Sequence, residues 1–257
     1  MNVQAQWVGY LTIVRKETVR IFRIWTQTIL PSVVTQSLYF LIFGGLIGSQ
    51  LGQMNGMDYA AFLVPGLVMM STITNAFSNV AGSFFGAKFQ RCIEELLVSP
   101  MKPGTILAGY VSGGIIRGVV VGTAVFLVSA FFTRIHVTHI IALLFFLFVT
   151  CLIFSLLGLL NGLFARKFDD VGIVPVFILT PLTYLGGVFY SLDALPAFWR
   201  AVSYANPIVY MIDGFRWGFS GISSTSVFAS GVVLTAVASV LILINLHLLK
   251  RGFSLKS

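Results

Sequence analysis

Apolar residues in this chain come in long unbroken runs separated by short charged clusters. No Asp, Glu, Lys or Arg occurs in residues 24–57, 59–87, 118–133, 135–165, 171–192 or 217–249. A helix needs about 20 apolar residues to cross a hydrocarbon core of about 30 Å. The runs therefore predict six crossings, near 29–48, 60–84, 106–132, 140–164, 171–190 and 227–249. Residues 3–25 follow a different period. At about 100° per residue, Trp7, Leu11, Val14, Thr18, Ile21 and Trp25 share one face, and Lys16, Arg20 and Arg23 lie opposite. That is the pattern of a helix lying in the headgroup layer, apolar side down and basic side toward water.

Composition removes the soluble classes. Of the 257 residues, 57% are hydrophobic and 9% charged, far from the roughly 25% charged of soluble domains. The expected fold is an all-α integral membrane protein forming one domain over 1–257. Its parts are an interfacial helix over 1–25, five crossings within 29–190, an extracytoplasmic segment over 191–226 and a last crossing over 227–249. Cys92 and Cys151 are too few and too far apart for a disulfide frame, and neither has metal-ligand spacing.

With six crossings, both ends share a side with the loops near 85–104 and 165–170. That side carries twelve of the sixteen basic residues; three lie opposite and Arg117 falls inside the third crossing. Such a bias predicts cytoplasmic termini. It also accounts for the net charge of +8 without nucleic acid. A cleaved signal peptide is not expected, because the charged region before Ile24 is too long and no A-x-A site follows it.

Two segments depart from plain spans. Within 86–104, GAKFQRCIEELLVSPMKPG, residues 87–99 can form a short helix with Arg91, Glu94, Glu95, Leu96 and Leu97, ended by Pro100 and Pro103. Exposed acidic and leucine positions joined directly to two crossings suit passing force from a soluble partner, or form an ordinary solvated helix. The other segment is 181–216, PLTYLGGVFYSLDALPAFWRAVSYANPIVYMIDGFR. Three prolines and Gly186-Gly187 break it, eight aromatics fill it, and Asp193, Arg200, Asp213 and Arg216 charge its later part. Irregular backbone at membrane depth is tolerated only where protein or a water-filled path surrounds it.

The loop Arg91–Pro100, the run FSLLGLLNG at 154–162, and PLTYLGGVFYSLDALP followed by NPIVYMIDGFR give the chain its family likeness. It resembles the ABC-2 type exporter permeases, which include those for capsule polysaccharide, nodulation factor and daunorubicin. The resemblance covers essentially the whole chain. It implies six transmembrane helices, an interfacial helix, a cytoplasmic coupling helix and re-entrant helices before the last crossing. It also implies a permease pair, likened to a homodimer, with two copies of a separate ABC ATPase subunit that bind ATP and Mg. Arg91, Glu94, Glu95, Leu96, Leu97 and Pro100 match the coupling loop. Leu195-Pro196 and Asn206-Pro207 match the re-entrant segment, read with Gly186 and Gly187 as an extracytoplasmic gate. The implied place is the bacterial inner membrane, and the implied direction is export.

The residues agree in one respect: no G-x-x-x-x-G-K-[ST] phosphate loop occurs, so an ATP-driven transporter needs another chain to bind ATP. No cofactor and no enzymatic site of the chain's own is expected. Ser71, Asn75, Asn79, Gly82 and Gly86 form one stripe on the second crossing, suited to helix packing or to a polar path wall. Arg117 lies near the inner edge of the core, as an anchor or ion pair or as the lining of an inward-facing mouth for an anionic substrate. His136 and His139 lack a third metal ligand, and no G-x-S-x-G or Ser/His/Asp set is visible. The alternative class is an ion-coupled secondary transporter. Against it, all eight acids map to loops or interfaces rather than to the membrane interior.

Overall fold

The structure is a computed structural model that describes residues 3–54, 56–93, 99, 101–133 and 137–252, with only the backbone of Leu51. It is almost entirely helical. Helix α1 is Val3–Arg23, and α2, Trp25–Gln50, follows with a π-helical stretch at Phe40–Ile47. A two-rung antiparallel hairpin pairs Gln53–Met54 with Met57–Asp58. Then come α3 (Tyr59–Phe89), α4 (Pro103–Ser129) and α5 (Ile140–Phe164). Helix α6 (Phe168–Val174) runs through a π stretch, Pro175–Leu179, into α7 (Thr180–Tyr184). The short helices α8 (Ala197–Tyr204) and α9 (Pro207–Ser220) precede α10 (Val227–Arg251).

Five helices, α2, α3, α4, α5 and α10, are long and apolar enough to cross a membrane. They lie where the apolar runs put them. The expected fifth crossing over 171–190 is shorter: its helical run covers 168–184, and the chain leaves it before Gly186. Gly187 at φ +76° turns the backbone into a conformation only glycine adopts freely. Of the expected coupling helix over 87–99, residues 87–89 are the last turn of α3, the chain turns at Arg91 with φ +59°, Cys92 and Ile93 are helical again, and 94–98 lie outside the described residues.

Helix α3 is the axis. Twenty-two of its 31 residues are buried, and α4, α5, α9 and α2 pack against it. Glycines set how closely they approach. A Cβ on Gly158 would stand 2.4 Å from the Phe77 carbonyl oxygen, and one on Gly162 would stand 2.9 Å from that of Ala81. These two glycines, one turn apart, let α5 lie backbone to backbone on α3. On α9, Gly214 meets the Phe146 ring and Gly218 meets Leu143, so α9 seats against α5 in the same way.

The prolines of the α6–α7 run leave carbonyls without helical partners. Pro175 cannot donate to the Val171 carbonyl, which instead accepts from Asn161 Nδ2 at 3.1 Å. Thr180 Oγ1 donates to the Pro175 carbonyl at 2.9 Å within the π stretch. Side chains thus complete what the backbone cannot.

Candidate functional site

Two groups of buried polar side chains stand out, at opposite ends of α3. The inner one begins with α1. Gly109 and Gly113 of α4 form a groove in which a Cβ would come within 2.7 Å of Ile13 and Glu17. Ile13, Glu17 and Ile21 of α1 fill that groove and are buried. Gln6 fastens the start of α1 by accepting from Lys102 N at 2.9 Å and Thr105 Oγ1 at 2.6 Å. The face carrying Trp7, Leu11 and Trp25 stays exposed, in keeping with a lipid-facing edge.

Arg20 corrects the sequence reading, which put it on the solvent face. Its guanidinium turns inward, donating to Glu17 Oε2 at 2.5 Å and to Asn79 Oδ1 at 2.9 Å. Glu17, placed among the interface acids, is fully buried and also accepts from Ser83 Oγ at 2.5 Å. One turn along α3, Asn75 Oδ1 accepts from Arg117 Nε at 3.1 Å, and Asn75 Nδ2 donates to Ser32 Oγ at 2.9 Å. The stripe residues Asn75 and Asn79 and the charge Arg117 therefore meet in one ladder joining α1, α2, α3 and α4. A buried charge needs such partners, since an unpaired one is costly.

Gly82 and Gly86 do not belong to that ladder. Among the described residues, nothing stands within 4 Å of a Cβ built on either. They continue an open line through Thr74 and Ser78, the one side of α3 that its neighbours leave uncovered. Helical spacing alone could not separate this line from the adjacent buried one, which is rotated by a single residue.

The outer group is built on α9. Asp213 is buried, and its carboxylate accepts from Ser224 N, Thr225 N and Thr225 Oγ1 at 2.7–3.1 Å. It holds the loop that leads into α10. Arg216, also buried, donates through Nη2 to the Gly187 carbonyl at 2.8 Å and lies 4.0 Å above the Phe62 ring. It holds the loop that leaves α7. Neither role was legible from the charge pattern.

The expected gate residues fall along these loops. Gly66 of α3 lets Val188 approach, since a Cβ there would be 2.8 Å from its Cα. Tyr59 Oη donates to the Phe189 carbonyl at 2.8 Å. Asn206 caps α9 by accepting from Ile208 N and donates to the Leu182 carbonyl at 2.6 Å, with Pro207 at the first helical position. Pro196 precedes α8, whose Arg200 donates to the Asp193 carbonyl at 2.5 Å. Of the aromatics of this segment, Phe189 packs on Tyr184 and on Tyr39 and Phe43 of α2.

Of the expected coupling residues, Arg91 is exposed at the end of α3. Glu94, Glu95, Leu96, Leu97 and Pro100 lie outside the described residues, as does His136. His139 stacks on Trp217 at 4.0 Å. Among the described residues no three His, Cys, Asp or Glu side chains cluster as metal ligands.

Apolar helices around a buried rod, with polar groups spent on packing and on framing irregular backbone, define a multi-pass membrane protein. Comparison with known proteins gives the family. The family model of the ABC-2 type transporter matches residues 9–220. The chain is 54% identical over 251 residues, 98% of each chain, to the inner membrane transport permease YadH of Escherichia coli K12. It is 27% identical over 228 residues, 87% of each chain, to nodulation protein J of Rhizobium leguminosarum bv. viciae. The chain belongs to the ABC-2 type transporter family, and is a multi-pass transmembrane permease of the inner membrane.

Proposed function

We propose that this permease is the membrane half of an ATP-driven exporter. Two copies pair, and each docks one ATPase subunit that supplies the ATP and Mg site. Its fifth crossing is the helical run that follows Asp170, and α10 is the sixth. Both termini and the loop Arg91–Pro100 face the cytoplasm, in keeping with the bias of basic residues. The substrate is an amphipathic, lipid, glycan or drug-like molecule, moved by alternating access. The exposed line Thr74, Ser78, Gly82, Gly86 faces the partner permease and the path between the two copies.

One observation carries this reading: α3 is a single 31-residue rod tied at both ends. At 1.5 Å per residue it is about 46 Å long. Its inner end leads into the coupling loop and is tied to α1 through Asn79 and Ser83. Its outer end meets the broken segment through Tyr59, Phe62 and Gly66. Displacement of the loop by an ATPase would then reach Gly66, against the outer segment, along one continuous helix whose proline, Pro65, lies at that outer end. Ion coupling gains no support from the acids buried among the described residues, since Glu17 and Asp213 are both engaged as structural acceptors.

The test is reversal of Glu94 and Glu95 to Arg in the complex of permease and ATPase. The expected result is loss of ATPase docking or of coupled hydrolysis, with membrane insertion unchanged. Unaltered coupling would sink the proposal.

A further inference from the structure

A cavity of about 1170 Å³ opens between the outer ends of α3, α4 and α9. It is larger than the ~300–1,000 Å³ of most small-molecule pockets. Among the described residues two charges of opposite sign line it, Arg216 and Asp58. They form no ion pair; among the described residues Glu17–Arg20 is the single one.

The two charges sit in different settings. Arg216 is 6% exposed, and among the described residues its hydrogen bond uses Nη2 alone. A guanidinium has five N–H donors, so donors beyond that one remain. Asp58 is exposed and precedes the first turn of α3, where its side chain makes no capping hydrogen bond. Ala61 and Pro65 lie beside it on the cavity wall. Pro65 has no N–H to give the Ala61 carbonyl, which adds acceptor character on the Asp58 side. The mouth is apolar: Phe131 and Phe132 at the end of α4 are both exposed, and Phe132 stacks on Phe40 of α2 at 5.5 Å.

A simple anion here would meet Asp58, and a simple cation would meet the buried Arg216. A head group carrying both charges satisfies both walls, and an attached chain covers the phenylalanines. We propose that this cavity binds a zwitterionic amphiphile of the phosphoethanolamine class. Its phosphate lies against Arg216, its ammonium against Asp58 and its chain against Phe131 and Phe132. The site lies within one permease chain, so it is independent of the pairing and ATP coupling proposed above.

The full-length permease in neutral detergent is titrated by native mass spectrometry with three probes. These are a single-chain phosphoethanolamine lipid, a phosphoglycerol lipid of the same chain length, and glycerophosphoethanolamine without a chain. The expected result is one phosphoethanolamine lipid per chain, preferred over the phosphoglycerol lipid by about tenfold. Asp58→Asn abolishes that preference, and Phe131→Ala weakens both lipids together. Arg216→Gln weakens all binding, but it also releases Gly187, so the exposed positions Asp58 and Phe131 carry the decision. Equal affinity for the two lipids, or a preference that survives Asp58→Asn, overturns the proposal. Chainless glycerophosphoethanolamine binding as tightly as the lipid overturns it too, in favour of a head-group site in which the chain plays no part. No ATPase is present, so failure here leaves the transport reading intact, and failure of ATPase coupling leaves this site intact.

Discussion

Glu17 with Arg20 and Asp213 with Arg216 are both acid–base pairs three residues apart on a helix, yet only the first is an ion pair. Around Glu17 and Arg20 the neighbouring helices offer neutral side chains, Ser83 and Asn79, so the two charges must compensate each other. Around Asp213 and Arg216 the neighbours are loops, which present free backbone. Amides of residues 224 and 225 take the carboxylate, and the Gly187 carbonyl and Phe62 ring take the guanidinium. The inner pair joins helices, whereas the outer pair shapes the irregular backbone on either side of α9. Surroundings, not spacing, decide which of the two a motif becomes.

Four experiments press on that contrast. Asp213→Leu has the largest expected effect, because it strands the three donors of residues 224–225. A loss of about 3 kcal/mol or more is expected, at about 1–3 kcal/mol for each donor left unsatisfied, read as a large fall in Tm in detergent or absence of folded protein. A variant as stable as the parent would mean that the loop does not depend on the carboxylate. Gly158→Ala comes next: its Cβ would meet a backbone oxygen that cannot step aside, at a cost of about 1–3 kcal/mol by thermal melting. Gly82→Ala, in open space on the same rod, is the control and should leave the melting point of the unpaired permease unchanged.

Glu17→Gln should cost less, about 1–2 kcal/mol, because the Arg20 side chain is 35% exposed and water can replace part of the lost partner. In a double-mutant cycle, Glu17 and Arg20 should couple, and Asp213 and Arg216 should be nearly additive. The opposite outcome would reverse the comparison.

The smallest effect concerns Asp170, exposed at the start of α6. The backbone amides of Arg166 and Lys167 hold its carboxyl below the usual carboxylate range. A depressed folded value contributes stability that is present above the unfolded pKa of about 3.9 and lost as pH falls through the folded value. Protection of the amides of residues 166 and 167 against exchange, relative to the intrinsic rate at each pH, should therefore fall below about pH 4, and Asp170→Asn should remove that dependence.

Much of this architecture is legible in the chain itself. The long spans stand out because lipid demands uninterrupted apolar runs, and the broken segment because Pro and Gly have backbone consequences that do not depend on context. The partners of Arg117, Arg20 and Glu17 were not legible, since one-dimensional periodicity gives a face but not what lies against it. The glycines of FSLLGLLNG could be seen, whereas their role depends on which helix they touch. The early end of the 171–190 run was written in Gly186-Gly187, but hydropathy continues smoothly across it.

The hydrogen bond from Asn161 to the Val171 carbonyl has a mechanical consequence. A proline kink ordinarily closes or opens as a private matter of its own helix. Here the strand of bonding that would resist bending has been handed to the neighbouring helix. Flexing at Pro175 and sliding of α5 past α6 become a single degree of freedom, so this helix behaves as a hinge whose pin is mounted on the adjacent post.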